Sequence, residues 1–262
     1  MIFRLILICL FALVSTGSFA QKKKKKNADS TANQTVTVAR PITQDSMYLT
    51  IFRTGMKYGD YQVAANALYS LMALHPENTS LKDSLVLLYN GMGNNVQAVI
   101  IAREILQKDK NNIPILSAMA ESEQRLGLYR EALESYELLY DKRQNLYDLY
   151  QVAAIQYALK RYAESRNTLT VIIRNPKAVQ EKLAITNANN QSQDVQFKAA
   201  AYNLLGVVYL EMKEYNEAQN NFKKALEIEP AFELAQSNLQ ILMSELNKAG
   251  GAKTPPKAPG KR

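Results

Sequence analysis

One aromatic-led pattern returns along this chain at a nearly constant interval, and a recurrence of that length leaves few folds open. Its clearest instance starts at Tyr215 and continues through Ala218, Phe222 and Ala225. Toward the N-terminus the equivalent runs are Tyr162 with Leu169 and Ile172, and Tyr129 with Ala132, Tyr136 and Leu139. Two more are Asn95 with Ala98, Ala102 and Ile105, and Tyr61 with Ala64, Leu68 and Leu71. From Tyr61 onward the leading positions are separated by 34, 34, 33 and 53 residues, the last being one period plus an insertion. A unit of this size holds a pair of helices, each with apolar residues at three- and four-residue spacing. One such pair cannot bury its apolar face alone, so successive copies must stack.

The first helix of the clearest copy carries Tyr202, Leu205, Gly206 and Tyr209, and Pro230 follows the second. Leu205 and Tyr209 share a helix face, while Gly206 lets a neighbouring helix come close. Pro230 cannot continue the second helix and marks its exit. The string Tyr202-x2-Leu205-Gly206-x2-Tyr209, then Ala218-x3-Phe222 and Pro230, resembles the tetratricopeptide repeat (TPR) family, with Tyr202 where that family usually has Trp. The resemblance implies an all-α fold, a right-handed superhelix (α-solenoid) of about five helical hairpins. The repeats fall at 45–78, 79–112, 113–145, 146–178 and 199–232, so the TPR domain covers 45–248. The small residue of the first helix is Gly206, then Ala153, Ala120 and Val86 going backwards. Phe52 stands there in the first repeat, which reads as irregular or as an N-terminal cap. Leu234, Leu239, Leu242 and Leu246 make 233–248 a capping helix over the last hairpin.

The remaining segments differ in composition. Arg4, the apolar run Leu5 to Val14 and the small residue Ala20 read as a signal peptide over 1–20. Cleavage after Ala20 would make the chain exported, most simply to a periplasm; an uncleaved N-terminal anchor is the alternative. Cys9 is the single cysteine and lies inside that run, so a cleaved chain has no thiol for disulfides or thiolate metal sites. Residues 21–44 read as a disordered basic and polar leader, and 249–262, rich in Pro and Gly, as a flexible basic tail that cannot be helical. In the insertion at 179–198, Val179 to Ile185 read as helical and Asn187 to Gln193 as a polar connection, functional or merely disordered.

The formal charge of +8 suggests a nucleic-acid binder until it is located along the chain. Lys22 to Lys26 and Lys253, Lys257, Lys261 and Arg262 hold the excess. Residues 27–248 carry 22 Lys and Arg against 24 Asp and Glu, which excludes a basic track for phosphates on the fold. The lysine run either attracts an anionic membrane surface or polymer or is simply solvated. Neither a phosphate loop nor a nucleophile elbow nor a dinucleotide fingerprint is present, so no catalytic residue and no cofactor is assigned. His75 is the only histidine and sits at the exit of the first hairpin, where a structural role is expected; no metal site is assigned. The pairs Glu121 with Glu123 and Glu134 with Glu137 read as solvated helix faces.

The family resemblance implies a binding protein rather than an enzyme, with a protein or peptide partner held in a concave groove lined by first-helix residues. Carried onto this chain, those positions include Ser46, Leu49, Arg53 and Met56, then Asp83, Leu87 and Asn90, then Ser117, Glu121, Gln124 and Arg125. The fourth repeat supplies Tyr147, Tyr150, Ala154 and Tyr157, and the fifth Asn203, Val207, Leu210 and Glu211. Tyrosine and arginine bury area while keeping a polar tip satisfied. The partner patch is therefore placed at Tyr147, Tyr150, Tyr157, Gln124, Arg125, Glu121 and Asn203, with packing between hairpins as the other reading for the tyrosines. A clamp for a terminal carboxylate is not expected, since Leu49 and Arg53, then Pro114 and Ala118, occupy its positions. The functional expectation is a scaffold supporting a cell-envelope complex; a noncatalytic binder of an anionic surface through the basic tails is the alternative.

Overall fold

The computed structural model describes residues 43–186 and 191–251. The expected signal peptide, most of the basic leader, the centre of the polar connection and the C-terminal tail beyond residue 251 lie outside the described residues. The chain divides into two compact units, with the break between Leu126 and Gly127.

The N-terminal unit holds α1 (Gln44–Tyr58), α2 (Tyr61–Leu74), α3 (Ser80–Met92), α4 (Asn95–Lys108) and α5 (Ile113–Arg125). Each boundary has a local cause. Thr43 caps α1 by accepting from the Ser46 N–H at 3.2 Å. Gly59 ends α1 at φ 73°, a left-handed conformation that glycine adopts without a Cβ clash. The Asp60 N–H then donates back to the Gly55 carbonyl, and the Asp60 carboxylate accepts from the Val63 N–H at 3.2 Å to start α2. Asn112 and Pro114 do the same work at the start of α5. Inside, Ala64, Leu68, Leu85, Leu88 and Tyr89 form one cluster, and Val86, Ala102, Ile105, Ile115 and Ala118 the next.

The C-terminal unit holds α6 (Tyr129–Arg143), α7 (Leu146–Ala158), α8 (Tyr162–Arg174), β1 (Lys182–Thr186), β2 (Ser192–Gln196), α9 (Phe197–Glu211), α10 (Tyr215–Ile228) and α11 (Glu233–Gly251). Its core runs from Leu149 and Tyr150 on α7 through Leu169 and Ile172 on α8 to Ala200 and Leu204 on α9. Hairpin partners approach closely where the first helix is small. A Cβ on Gly206 would lie 2.5 Å from the Phe222 ring, and Ser165 reaches the Ala153 carbonyl at 2.8 Å. On α11, Leu242 is buried against Ala218 and Phe222, with Leu239 and Leu246 packed beside it, so this helix covers the last hairpin.

Three expectations need correction. Residues 182–186 are not helical: they pair antiparallel with 192–196, Leu183 opposite Val195 and Ile185 opposite Gln193, after a short 3-10 turn at Pro176–Val179. Alternation decides the matter, because Leu183, Ile185 and Val195 all turn one face into the core while Lys182 and Asp194 stay exposed. The last helix runs through Gly250 and Gly251 rather than stopping at Lys248, a glycine cost of about 1 kcal/mol each that a helix end tolerates. In the first repeat the tight contact has moved from Phe52 to Gly55, whose Cβ would lie 2.8 Å from the Asp60 carbonyl. Phe52 is half-buried beside the cluster around Leu68.

These contacts set opposite outcomes for two glycines. Gly206→Ala should lower stability by about 1–3 kcal/mol, because buried Phe222 must move. Gly91→Ala, on α3 with open space around it, should raise stability by about 1 kcal/mol. Urea melts of the two variants test the pair.

Candidate functional site

In the C-terminal unit the tyrosines expected to meet a partner mostly face inward. Tyr150 is 1% exposed and packs edge-on to Phe197 with ring centroids 6.3 Å apart; burial pushes its phenol pKa upward. Tyr157 is buried too. Its ring lies 5.8 Å from that of Tyr162 and its hydroxyl donates to Glu211 at 3.4 Å, with burial first and the Glu211 charge second in raising its pKa. Tyr147 is half-buried against the same core. Asn203 is buried and accepts a 2.9 Å hydrogen bond from Asn238 on α11, so the terminal helix occupies the position expected for a ligand. Tyr150, Tyr157 and Asn203 are thus packing residues here. Helix α7 is surrounded by α6, α8 and α9, which leaves no open stripe along its tyrosines.

In the N-terminal unit the first-helix positions remain at the surface. Leu49, Arg53 and Met56 follow one another at i, i+4 and i+7 on α1, and Leu49 and Met56 are 38% and 42% exposed. Leu87 on α3 is 48% exposed, one turn before Asn90. Asn90 is the centre of a polar cluster linking α3 to α5. It donates to Glu121 at 3.0 Å, and its side-chain oxygen accepts from Arg125 at 2.7 Å and from Ser122 at 3.1 Å. Arg125 also reaches the Asn90 backbone carbonyl at 3.1 Å and lies 3.6 Å from the Glu121 carboxylate. Glu121, Gln124 and Arg125 are half-buried on α5. The α5 part of the expected patch is therefore a pre-ordered polar surface, with exposed apolar side chains on the two preceding first helices.

Glu123 is the exception among the carboxylates read as solvated. It is 2% exposed and accepts from Arg103 on α4 at 3.2 Å, so it is a buried half of an ion pair. Asp148 is likewise buried and held by Arg143 through two hydrogen bonds of 2.9 and 2.6 Å. Each pair joins two successive helices, α4 to α5 and α6 to α7. Among the described residues no group of His, Cys, Asp and Glu gathers to hold a metal ion, and no helix is long and apolar enough to cross a membrane.

Sequence reading missed a cleft of about 580 Å³ at the exits of α2 and α4, lined by His75, Thr79, Lys82, Asp83, Lys108 and Asn112 among others. His75 Nε2 lies 3.0 Å from Asp45 on α1 and Nδ1 lies 3.5 Å from Glu77. The hydrogen bond and charge of Asp45, helped by Glu77, raise its pKa above the ordinary 6.5. Asp45 stands far from His75 in the chain, so no local motif announces the pair.

The TPR family model matches residues 199–232. No curated protein matches the sequence. Among solved structures, a MamA protein is 16% identical with a TM-score of 0.56, the match covering 71% of this chain and 92% of that one. YrrB, described as a TPR protein with an unusual peptide-binding site, is 12% identical with a TM-score of 0.57 over 72% of this chain and 89% of that one. MamA from Desulfovibrio magneticus RS-1 is 12% identical with a TM-score of 0.56, covering 72% and 97%. At such identities the likeness concerns the fold.

Two measurements follow from the site geometry. Tyr150→Ala should cost about 3–5 kcal/mol in urea unfolding, as for other large buried aromatics. For His75, the raised folded-state pKa means its stabilising contribution is complete below the unfolded value of 6.5 and is lost as pH rises through the folded value. The single imidazole signal in NMR should titrate above 6.5, and Asp45→Asn should bring its midpoint down.

Proposed function

We propose that this chain, a tetratricopeptide-repeat protein by its fold and its 199–232 repeat, is a noncatalytic scaffold that binds a protein or peptide partner on the first-helix face of its N-terminal unit. The observation that carries the reading is the exposure of Leu49, Met56 and Leu87 beside Arg53 and the Asn90–Glu121–Arg125 cluster. Burying apolar side chains that are left in water is favourable when a partner covers them. Gln124 and Arg125 border that face. YrrB, with the same fold, is described by its peptide-binding site, which is in keeping with such a use of the repeat.

The setting we propose is the cell envelope, after export and cleavage behind Ala20, where the scaffold supports assembly of a complex. The apolar run ending at Val14 and the small residue at the cleavage position support export. The lysine run at 22–26 supports a competing use, peripheral attachment to an anionic membrane or polymer through the tails.

Crosslinked co-purification from the native envelope separates the two. Leu49→Asp with Leu87→Asp should leave the melting temperature within about 2 °C, because both residues are exposed, and should remove a small stoichiometric set of captured proteins. Capture that survives this double variant, but is lost when residues 22–26 are deleted or salt is raised, would overturn the groove reading in favour of the tails.

A further inference from the structure

We propose that the outer edge of β1 is a second binding site, which takes an extended peptide segment of a partner as a third strand. It lies in the C-terminal unit and does not depend on the first-helix face.

The hydrogen-bond parity of the hairpin identifies the edge. The Phe197 N–H donates to the Glu181 carbonyl at 3.1 Å, which makes Glu181 and Phe197 the bonded pair at the base. With Lys182 opposite Gln196 and Ala184 opposite Asp194, antiparallel alternation turns the backbone groups of Lys182, Ala184 and Thr186 away from β2. The same parity points the Gln196 N–H outward on the other side, where it meets Glu229 at 3.4 Å. The α10–α11 turn is also tied to β2, since the Gln193 side chain donates to the Ala231 carbonyl at 2.7 Å and accepts from the Glu233 N–H at 3.2 Å. On the β1 side, among the described residues, no hydrogen bond reaches the backbone of Lys182, Ala184 or Thr186. Thr186, at the far end of the strand, is buried, and among the described residues its hydroxyl has no partner, so the open part of the edge is Lys182 and Ala184. A row of unpaired N–H and C=O groups on a strand edge is a template for another strand.

The chemistry selects a peptide over a second copy of the hairpin. Two such short edges meeting each other would bury far less than the roughly 1,200 Å² of a stable interface. A peptide strand satisfies the edge without needing further surface. Exposed Lys182 favours a carboxylate opposite it, and half-buried Ala184 leaves room for a β-branched neighbour.

The test is an NMR titration of the full chain with a capped peptide of alternating threonine and valine carrying one central glutamate. The expected result is shifted, exchange-protected amides at Lys182 and Ala184. Ala184→Pro deletes an outward N–H without touching the β1–β2 ladder, so the hairpin should persist while peptide affinity falls about tenfold. Should that variant lose the hairpin, the same peptide N-methylated at alternate amides is titrated into the parent chain, and it should bind about tenfold more weakly. Leu87→Asp should leave this binding unchanged, which separates it from the first-helix face. Unmoved Lys182 and Ala184 signals at saturating peptide, or undiminished binding by the N-methylated peptide or by a folded Ala184→Pro chain, would overturn the proposal.

Discussion

The close approach of the two helices within each hairpin governs what the rest of the molecule can do. Helix axes come near enough to interlock where one helix offers little side chain, and three hairpins show such a point. Gly206 receives the Phe222 ring, Ala153 receives Ser165, and Gly55 lies against Ala64 and the Asp60 carbonyl. With that contact made, the apolar residues on both sides of it have one place to go. Ala64, Leu68 and Leu85 meet in one cluster, while Ala218, Phe222 and Leu242 meet in another. The helices are short, and short helices owe most of their stability to this packing rather than to propensity.

Charge is placed by the same geometry. Glu123 and Asp148 are carboxylates that packing has carried inside, and each is met by an arginine from a neighbouring position. An unpaired carboxylate at either place would be strongly destabilising, so each depends on its arginine. The Asn90 cluster between α3 and α5 works in the same way at the surface, with one amide meeting a carboxylate, a hydroxyl and a guanidinium. Leu49 and Met56 on α1 and Leu87 on α3 stay exposed after this pairing.

The insertion shows how a repeat protein accommodates extra chain. Leu183, Ile185 and Val195 anchor the hairpin in the core of the C-terminal unit, and Gln193 ties it to the turn that leads into α11. The same strands bring an edge to the surface that helices do not have, because a helix satisfies its own backbone bonds and a strand needs a neighbour.

Local chemistry determined much of this protein from sequence alone. The 34-residue recurrence from Tyr61 set the number and order of the helical pairs, because apolar spacing and the small residues act within one hairpin. The leucines of 233–248 announced the covering helix for the same reason. Only the tertiary structure decided the direction in which side chains shared between hairpins point. Tyr150 and Tyr157 look like a surface stripe when α7 is considered alone, and they are buried because α9 and its neighbours close over them. Asn203 became inaccessible through a residue 35 positions away, and His75 met Asp45 across 30, distances at which no local pattern carries information. The strand at 182–186 belongs to the same class, since a short apolar run is helix or strand according to what pairs with it, and its partner follows a polar sequence that has no period.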